Sequence, residues 1–247
     1  MKKLFFAAVI PLLIASISGC VCENNRRVTQ VSTYEALYKG AFDGSTTLRQ
    51  VLCYGDTGFG VIENIDGEMI IYDGKAYLGK QDGKVYTPSM DTKIPFATVV
   101  KFKADKEVDI ANEMGMKEFE TYIDKQLSKD NLFAGFVIKG TFKRVKTKSY
   151  PPQTKPYKPL KEIIATQPEF DYRNIKGTIV AFKFPPYLGR LQRVGYHFHF
   201  LSDDHKSAGH VIDFAISNGK VAIDMCNELL FIAPEKGTTF NSLDFSK

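Results

Sequence analysis

The chain has 247 residues, 44% of them apolar, 25% charged and 13% aromatic, with no tryptophan, four cysteines and four histidines. This composition excludes a disordered chain and a polytopic membrane protein, and four cysteines at this length exclude a small disulfide scaffold. The formal net charge of +5 is too small an excess to argue for nucleic acid as a partner.

Lys2 and Lys3 open the chain, residues 4–17 are apolar, and Ile17-Ser18-Gly19-Cys20 closes the run. Fourteen apolar positions are too few to span a bilayer of about 30 Å, and the basic start with a small-residue ending is that of a cleaved secretory signal. The ending resembles a bacterial lipobox, in which the cysteine is lipidated and becomes the first residue. Residues 1–19 are therefore expected to be a signal peptide. Residues 20–32, polar from Glu23 to Gln30, are expected to be a tether to the membrane from a lipid anchor on Cys20. Removing Lys2 and Lys3 with the leader lowers the net charge to +3.

Beyond the tether, Thr33 is placed to cap a short helix over residues 34–37 that Gly40 ends, and residues 46–52 have the spacing of a second. From Phe59 the pattern changes to short β-type runs, including 69–72 and 84–87, separated by Asp66-Gly67, Asp73-Gly74 and Asp82-Gly83. That alternation predicts a β-meander. Residues 96–102 read as another strand. Met116, Phe119, Ile123 and Leu127 recur at three- and four-residue intervals and predict an amphipathic helix over 115–127. Residues 133–148 read as a long strand with Gly135 and Gly140 as bulge or close-approach sites. Proline-rich 151–159 breaks regular structure, and a short helix follows over 160–165. A strand over 174–184 stops at Pro185-Pro186, and the histidine segment and two more strands run to Ile232.

No repeat, no heptad pattern and no alternation of strand with long helix is present. The fold class is therefore α+β, with two mixed or mainly antiparallel sheets and a few short helices. The expected division is an N-terminal mixed-sheet domain over 33–172 and a C-terminal β domain over 173–247. Cys53 and Cys226 read as single thiols, and export permits a disulfide between them.

All four histidines fall within fourteen residues. Gly195-Tyr-His-Phe-His-Phe-Leu201 is a strand by composition, so His197 and His199 face one side about 6.6 Å apart and Phe198 and Phe200 face the other. Ser202-Asp203-Asp204 supplies a turn, and residues 209–217 read as the returning strand. In a hairpin, His210 then faces the first two. Three imidazoles on rigid backbone are the ligand set of an open zinc site. His205, in the turn beside Lys206, reads as a solvated loop residue. No glutamate sits inside the motif as in H-E-x-x-H hydrolases, which weakens a hydrolase reading.

The run from Gly195 to Phe214 resembles the signature of the alpha-acetolactate decarboxylase family, whose three zinc histidines fall on His197, His199 and His210. Phe59-Gly-Val-Ile-Glu-Asn-Ile-Asp-Gly-Glu68-Met69 is similar to the family segment with an acidic active-site residue, which matches Glu68. Gly140-Thr141-Phe142, Gln153-Thr-Lys-Pro-Tyr157 and Lys176-Gly177-Thr178 follow in the family's order. The resemblance covers roughly residues 33–245. It implies decarboxylation of a 2-hydroxy-3-oxo acid, 2-acetolactate, to acetoin. Zn2+ on the three histidines would act as Lewis acid for the enediolate, and Glu68 would share in the proton handling. It also implies a homodimer.

Three departures stand out. Lys148 occupies the place of the family's usual arginine, keeping the charge for a carboxylate and losing the planar fork. Val61 stands where threonine is frequent. The family ends with a stretch bearing a second functional glutamate that is not read before Lys247. A shortened version, a substitute at Glu228 or Glu235, and lost activity are the three readings of that end. The alternative function is accordingly a catalytically impaired relative serving as a metal- or ligand-binding envelope lipoprotein.

Overall fold

In a computed structural model, the structure describes residues 26–127 and 131–246. The expected leader over residues 1–19 and the lipid anchor at Cys20 lie outside the described residues. Among the described residues, fifteen strands and four helices follow one another, with short 3-10 turns between some of them. They are β1 (Arg27–Val31), α1 (Tyr34–Tyr38), β2 (Thr46–Thr47), α2 (Leu48–Tyr54), β3 (Thr57–Val61), β4 (Glu68–Tyr72) and β5 (Lys75–Gly79). Next come β6 (Val85–Tyr86), β7 (Lys93–Ile94), β8 (Phe96–Val100), β9 (Lys106–Ile110), β10 (Met114–Gly115), α3 (Met116–Asp124) and β11 (Phe133–Lys148). The last are α4 (Leu160–Ile164), β12 (Glu169–Phe184), β13 (Gly195–Ser202), β14 (Ala208–Cys226) and β15 (Glu228–Ile232). No helix among the described residues is long and apolar enough to cross a membrane.

The expected α+β class holds, with two principal sheets. A seven-stranded sheet has the order β15-β1-β8-β3-β4-β5-β6, antiparallel except where β1 runs parallel to β15. Its β3-β4-β5-β6 portion is the expected meander, turning at Gly67, Gly74 and Gly83, all at positive φ. A second, antiparallel sheet has the order β10-β14-β11-β12-β13, with β9 also on β14. β13 pairs back onto the start of β14. The strands β14, β11, β12 and β13 thereby close on themselves at one end.

Two expectations change. Residues 27–31 are not tether: they form β1, in which Val28, Thr29, Gln30 and Val31 are buried. The pairing that buries them comes from β15, some two hundred residues away, which local polarity gives no means of reading. A boundary at residue 172 falls inside β12, which pairs with β11 on both sides of that residue. The long strand 133–148 is present as expected. The returning strand foreseen over 209–217 continues unbroken to Cys226. Cys53 and Cys226 are both free thiols, the first exposed and the second buried.

The layers follow from strand alternation. α2 covers the outer face of the first sheet with Leu48 and Val51 against Met69, Ile71 and Val99. α3 covers the outer face of the second, burying Phe119 and Ile123 among Phe136, Phe142, Phe198, Phe200 and Phe214. Its spacing is the one read from the sequence. Between the sheets lies a further cluster with Phe59, Ile70, Phe182, Phe184 and Leu201. The linker from β8 to β9 is held to both layers. Phe102 donates its N–H to Asp56 (3.0 Å), and Lys103 donates its N–H to the buried Asp224 on β14 (3.0 Å).

The sheets approach closely where Gly79, the last residue of β5, meets β14. A Cβ at Gly79 would lie 2.6 Å from the Ala208 carbonyl oxygen, a backbone atom that cannot swing away. The buried Ser149 hydroxyl donates to the Gly79 carbonyl (2.7 Å) at the same place. Gly79→Ala is therefore expected to destabilise the protein by about 1–3 kcal/mol. The check is the urea midpoint, and an unchanged midpoint would show that this approach is slack.

Burial raises the Asp224 carboxyl from 3.8 to about 6. The folded state thus keeps its proton over a pH range in which the unfolded chain has lost it. Stability is unaffected below about pH 4, falls as pH rises through that window, and is fully reduced above about pH 6. Asp224→Asn is expected to melt higher than the parent at pH 7 and equally at about pH 4, as read by paired thermal scans.

Candidate active site between the two sheets

Strand register assembles the site. Residues directly opposite one another in an antiparallel pair share a face. His210 on β14 stands opposite His199 on β13 and opposite Lys148 on β11, which sets Lys148, His210 and His199 in one transverse row. His197 lies two residues before His199 and faces the same way. Phe198 and Phe200 point into the outer core, as the alternation predicts. The orientation of His210 also depends on an irregularity: the register shifts between Lys146 and Thr147 so that Ile212 is left without a direct partner. Without that extra residue, period-two alternation would put Phe214 on the same face as His210. With it, Phe214 joins Val211 in the outer core and His210 stays in the seam between the sheets.

His197 Nε2 lies 3.0 Å from His210 Nδ1 and 3.2 Å from His199 Nε2, and the three candidate ligand atoms are all within 4.8 Å of one another. Nitrogens held about 2.05 Å from one tetrahedral ion stand about 3.3 Å apart, so the cluster fits a metal with little adjustment. Burial presses all three rings toward the neutral form: His199 is lowered to about 3, and His197 and His210 fall well below the usual histidine value. Neutral rings offer the lone pairs that a metal needs. His199 Nδ1 is buried without a hydrogen-bond partner. The orientation of that ring is set instead by packing: Phe59 of β3 stacks on it at 4.4 Å with the planes 6° apart, and also touches His197 at 4.3 Å.

Glu68, the first residue of β4, enters from the opposite sheet. It is 3% exposed, with Oε2 3.9 Å from His199 Nε2. Burial pushes its carboxyl well above the usual range, opposed by the positive charges of Lys148 and Arg193. Burial likewise lowers Lys148, opposed by Glu68. These groups line a cavity of about 310 Å³, together with Tyr34, Phe59, Tyr150 and Glu120, within the small-molecule range of about 300–1,000 Å³.

All five residues singled out from the sequence, Glu68, Lys148, His197, His199 and His210, line this one cavity. His205 does not. It sits in the β13–β14 turn at positive φ, against Tyr77 at 4.7 Å. Glu228 and Glu235 are absent from the lining. Glu228 pairs with Arg27, and the Glu235 N–H donates to Ser45. Sequence reading missed Arg193, Tyr150, Tyr34 and Glu120. Only Arg193 had a local signal, as a cation four residues before the first histidine. The others arrive from elements that no motif connects to the hairpin.

Comparison with known proteins bears on this arrangement. The sequence model of the alpha-acetolactate decarboxylase family matches residues 28–247. The alpha-acetolactate decarboxylase of Methylococcus capsulatus is 37% identical over 213 residues, 86% of this chain and 82% of that protein. That of Methanosarcina mazei is 35% identical over 213 residues, 86% of this chain and 74% of that protein. The crystal structure of alpha-acetolactate decarboxylase from Bacillus subtilis superposes with a TM-score of 0.87 at 33% identity, covering 90% of this chain and 94% of that one. With the matching model running through both sheets and the histidine hairpin, this chain belongs to the alpha-acetolactate decarboxylase family.

Proposed function

We propose that the protein is a zinc-dependent acetolactate decarboxylase that converts 2-acetolactate to acetoin and carbon dioxide. The observation that carries this reading is the meeting, in the seam between the sheets, of three buried imidazoles, a carboxyl group whose proton affinity burial raises and a cationic wall. His197, His199 and His210 would hold the ion. When bound it supplies a Lewis acid for the oxygen that takes up charge as the carboxylate leaves.

The remaining steps belong to the chain's own residues. Lys148, beside His210 in the strand register, provides positive charge to draw the substrate's carboxylate into the cavity. Phe59 packs over two of the three histidine rings, keeping water from that side and strengthening the electrostatics within. Loss of carbon dioxide leaves a carbon that must be protonated from one side. Glu68 enters that space from the opposite sheet, and burial raises its affinity for the proton that it would deliver through a carboxyl oxygen. Delivery from a single face fixes the handedness of the product.

The signal-like start and Ile-Ser-Gly-Cys20 support placing the enzyme in the cell envelope as a lipoprotein, and the family resemblance supports a homodimer. Lys148 in the place of arginine favours a second reading, an impaired relative that binds metal without turnover.

Purified protein is expected to contain about one zinc per chain and to form acetoin from racemic acetolactate. Chelation should lower acetoin formation to the spontaneous rate and zinc should restore it. Zinc bound without acetoin above the spontaneous rate would leave only the impaired relative. Glu68→Gln is expected to lower kcat by about 10²–10⁴-fold with zinc content unchanged, and the residual acetoin should approach a racemic mixture on chiral chromatography. For the envelope assignment, cells fed labelled palmitate should label the parent and not Cys20→Ala. Equal labelling of the two would reject the anchor.

A further inference from the structure

Arg193 lies two residues before β13 and lines the same cavity. The backbone around it is firmly held. Tyr34 and Glu35 donate their N–H groups to the carbonyls of Leu191 (2.9 Å) and Arg190 (3.1 Å). The adjoining Gln192 is 1% exposed, and its amide hydrogen-bonds to Gln30 and to the Thr98 hydroxyl (3.1 Å), both buried residues of the first sheet. A side chain at position 193 is therefore presented to the cavity from a fixed base. Its guanidinium Nη1 lies 3.2 Å from His210 Nε2, the ring nitrogen other than the one that meets His197. No carboxylate is hydrogen-bonded to it among the described residues.

We infer that Arg193 grips the carboxylate of the substrate, supplying from the approach to β13 the planar fork that Lys148 cannot supply from β11. The inference rests on the decarboxylase reading for its substrate and on the geometry for its residue. A guanidinium offers two parallel N–H donors matched to the two oxygens of a carboxylate, whereas an ammonium acts as a point charge. Lys148 and Arg193 approach His210 from different elements, Lys148 from the neighbouring strand and Arg193 by direct contact.

The contact with His210 adds a chemical argument. Arginine only donates hydrogen bonds, so in this arrangement His210 Nε2 accepts and the ring proton sits on Nδ1. Nδ1 is the atom that faces His197. Were Nδ1 to give its lone pair to a metal, the neutral ring would carry its proton on Nε2 and Arg193 would lose its acceptor. The guanidinium would then be available to an anion inside the cavity. Because the carboxylate departs as carbon dioxide, a contact to it belongs to the bound substrate more than to the transition state. Arg193 should govern KM more than kcat.

The test compares parent, Arg193→Gln and Arg193→Lys, each zinc-loaded. Calorimetry would use two unreactive probes: 2,3-dihydroxy-2-methylbutanoate, which is acetolactate with its ketone reduced, and 2-methylbutane-2,3-diol, which lacks the carboxylate. Arg193→Gln is expected to weaken the acid about ten- to hundredfold and leave the diol unchanged. Arg193→Lys should fall between, and zinc content and melting temperature should match the parent. In turnover the loss should appear in KM. Equal affinity of parent and Arg193→Gln for the acid would overturn the inference, as would a parallel loss of both probes. A parent that binds the acid through Arg193 and forms no acetoin would sink the decarboxylase reading and leave the anion site standing.

Discussion

Three imidazoles are buried in the seam between two sheets, with a phenyl ring laid over two of them and a carboxyl group pressed against one. Everything chemical about the site depends on that burial. Removing water lowers the proton affinity of His197, His199 and His210, so that each presents a free lone pair, and raises that of Glu68. One physical effect acts with opposite sign on cationic and anionic acids, and it sorts the residues into candidate ligands and a candidate proton carrier. Lys148 and Arg193 oppose it at Glu68, and their two charges bias the cavity toward anions.

Such burial needs two surfaces, and neither sheet supplies it alone. The second sheet offers the histidines and Lys148, set in a row by antiparallel register and kept in the seam by the irregularity at Ile212. The first sheet supplies Phe59 and Glu68 from neighbouring strands of its meander. Gly79, where a side chain cannot be accommodated, marks how closely the layers must sit. The buried Gln30–Thr98–Gln192 group ties the approach to β13 onto the first sheet, so the segment carrying Arg193 moves with the surface that faces the histidines.

Much of this was legible in the chain. Alternation in Gly195 to Leu201 divides the strand into a histidine face and a phenylalanine face, because extended backbone leaves no other arrangement. The spacing of Phe119 and Ile123 gave α3, and the Asp-Gly pairs gave the turns of the meander. What escaped was non-local. β1 looked like tether because its partner strand lies at the far end of the chain, and a domain boundary near residue 172 looked reasonable because nothing in the sequence shows that β11 holds β12 along nearly its whole length.

The sequence by itself determined which residues are candidates for the site: a histidine pair on one strand face, a third in hairpin reach, a carboxylate after a tight turn and a lysine at a strand end. Side-chain periodicity and turn chemistry are local, and they suffice for that. Only the tertiary structure decided what those residues become. It decided that Glu68 is buried against His199 rather than exposed, that Glu228 and Glu235 stand away from the cavity, and that Arg193 leans on His210. Proton affinity and charge pairing depend on which surfaces close over a group, and those surfaces meet only when the two sheets pack.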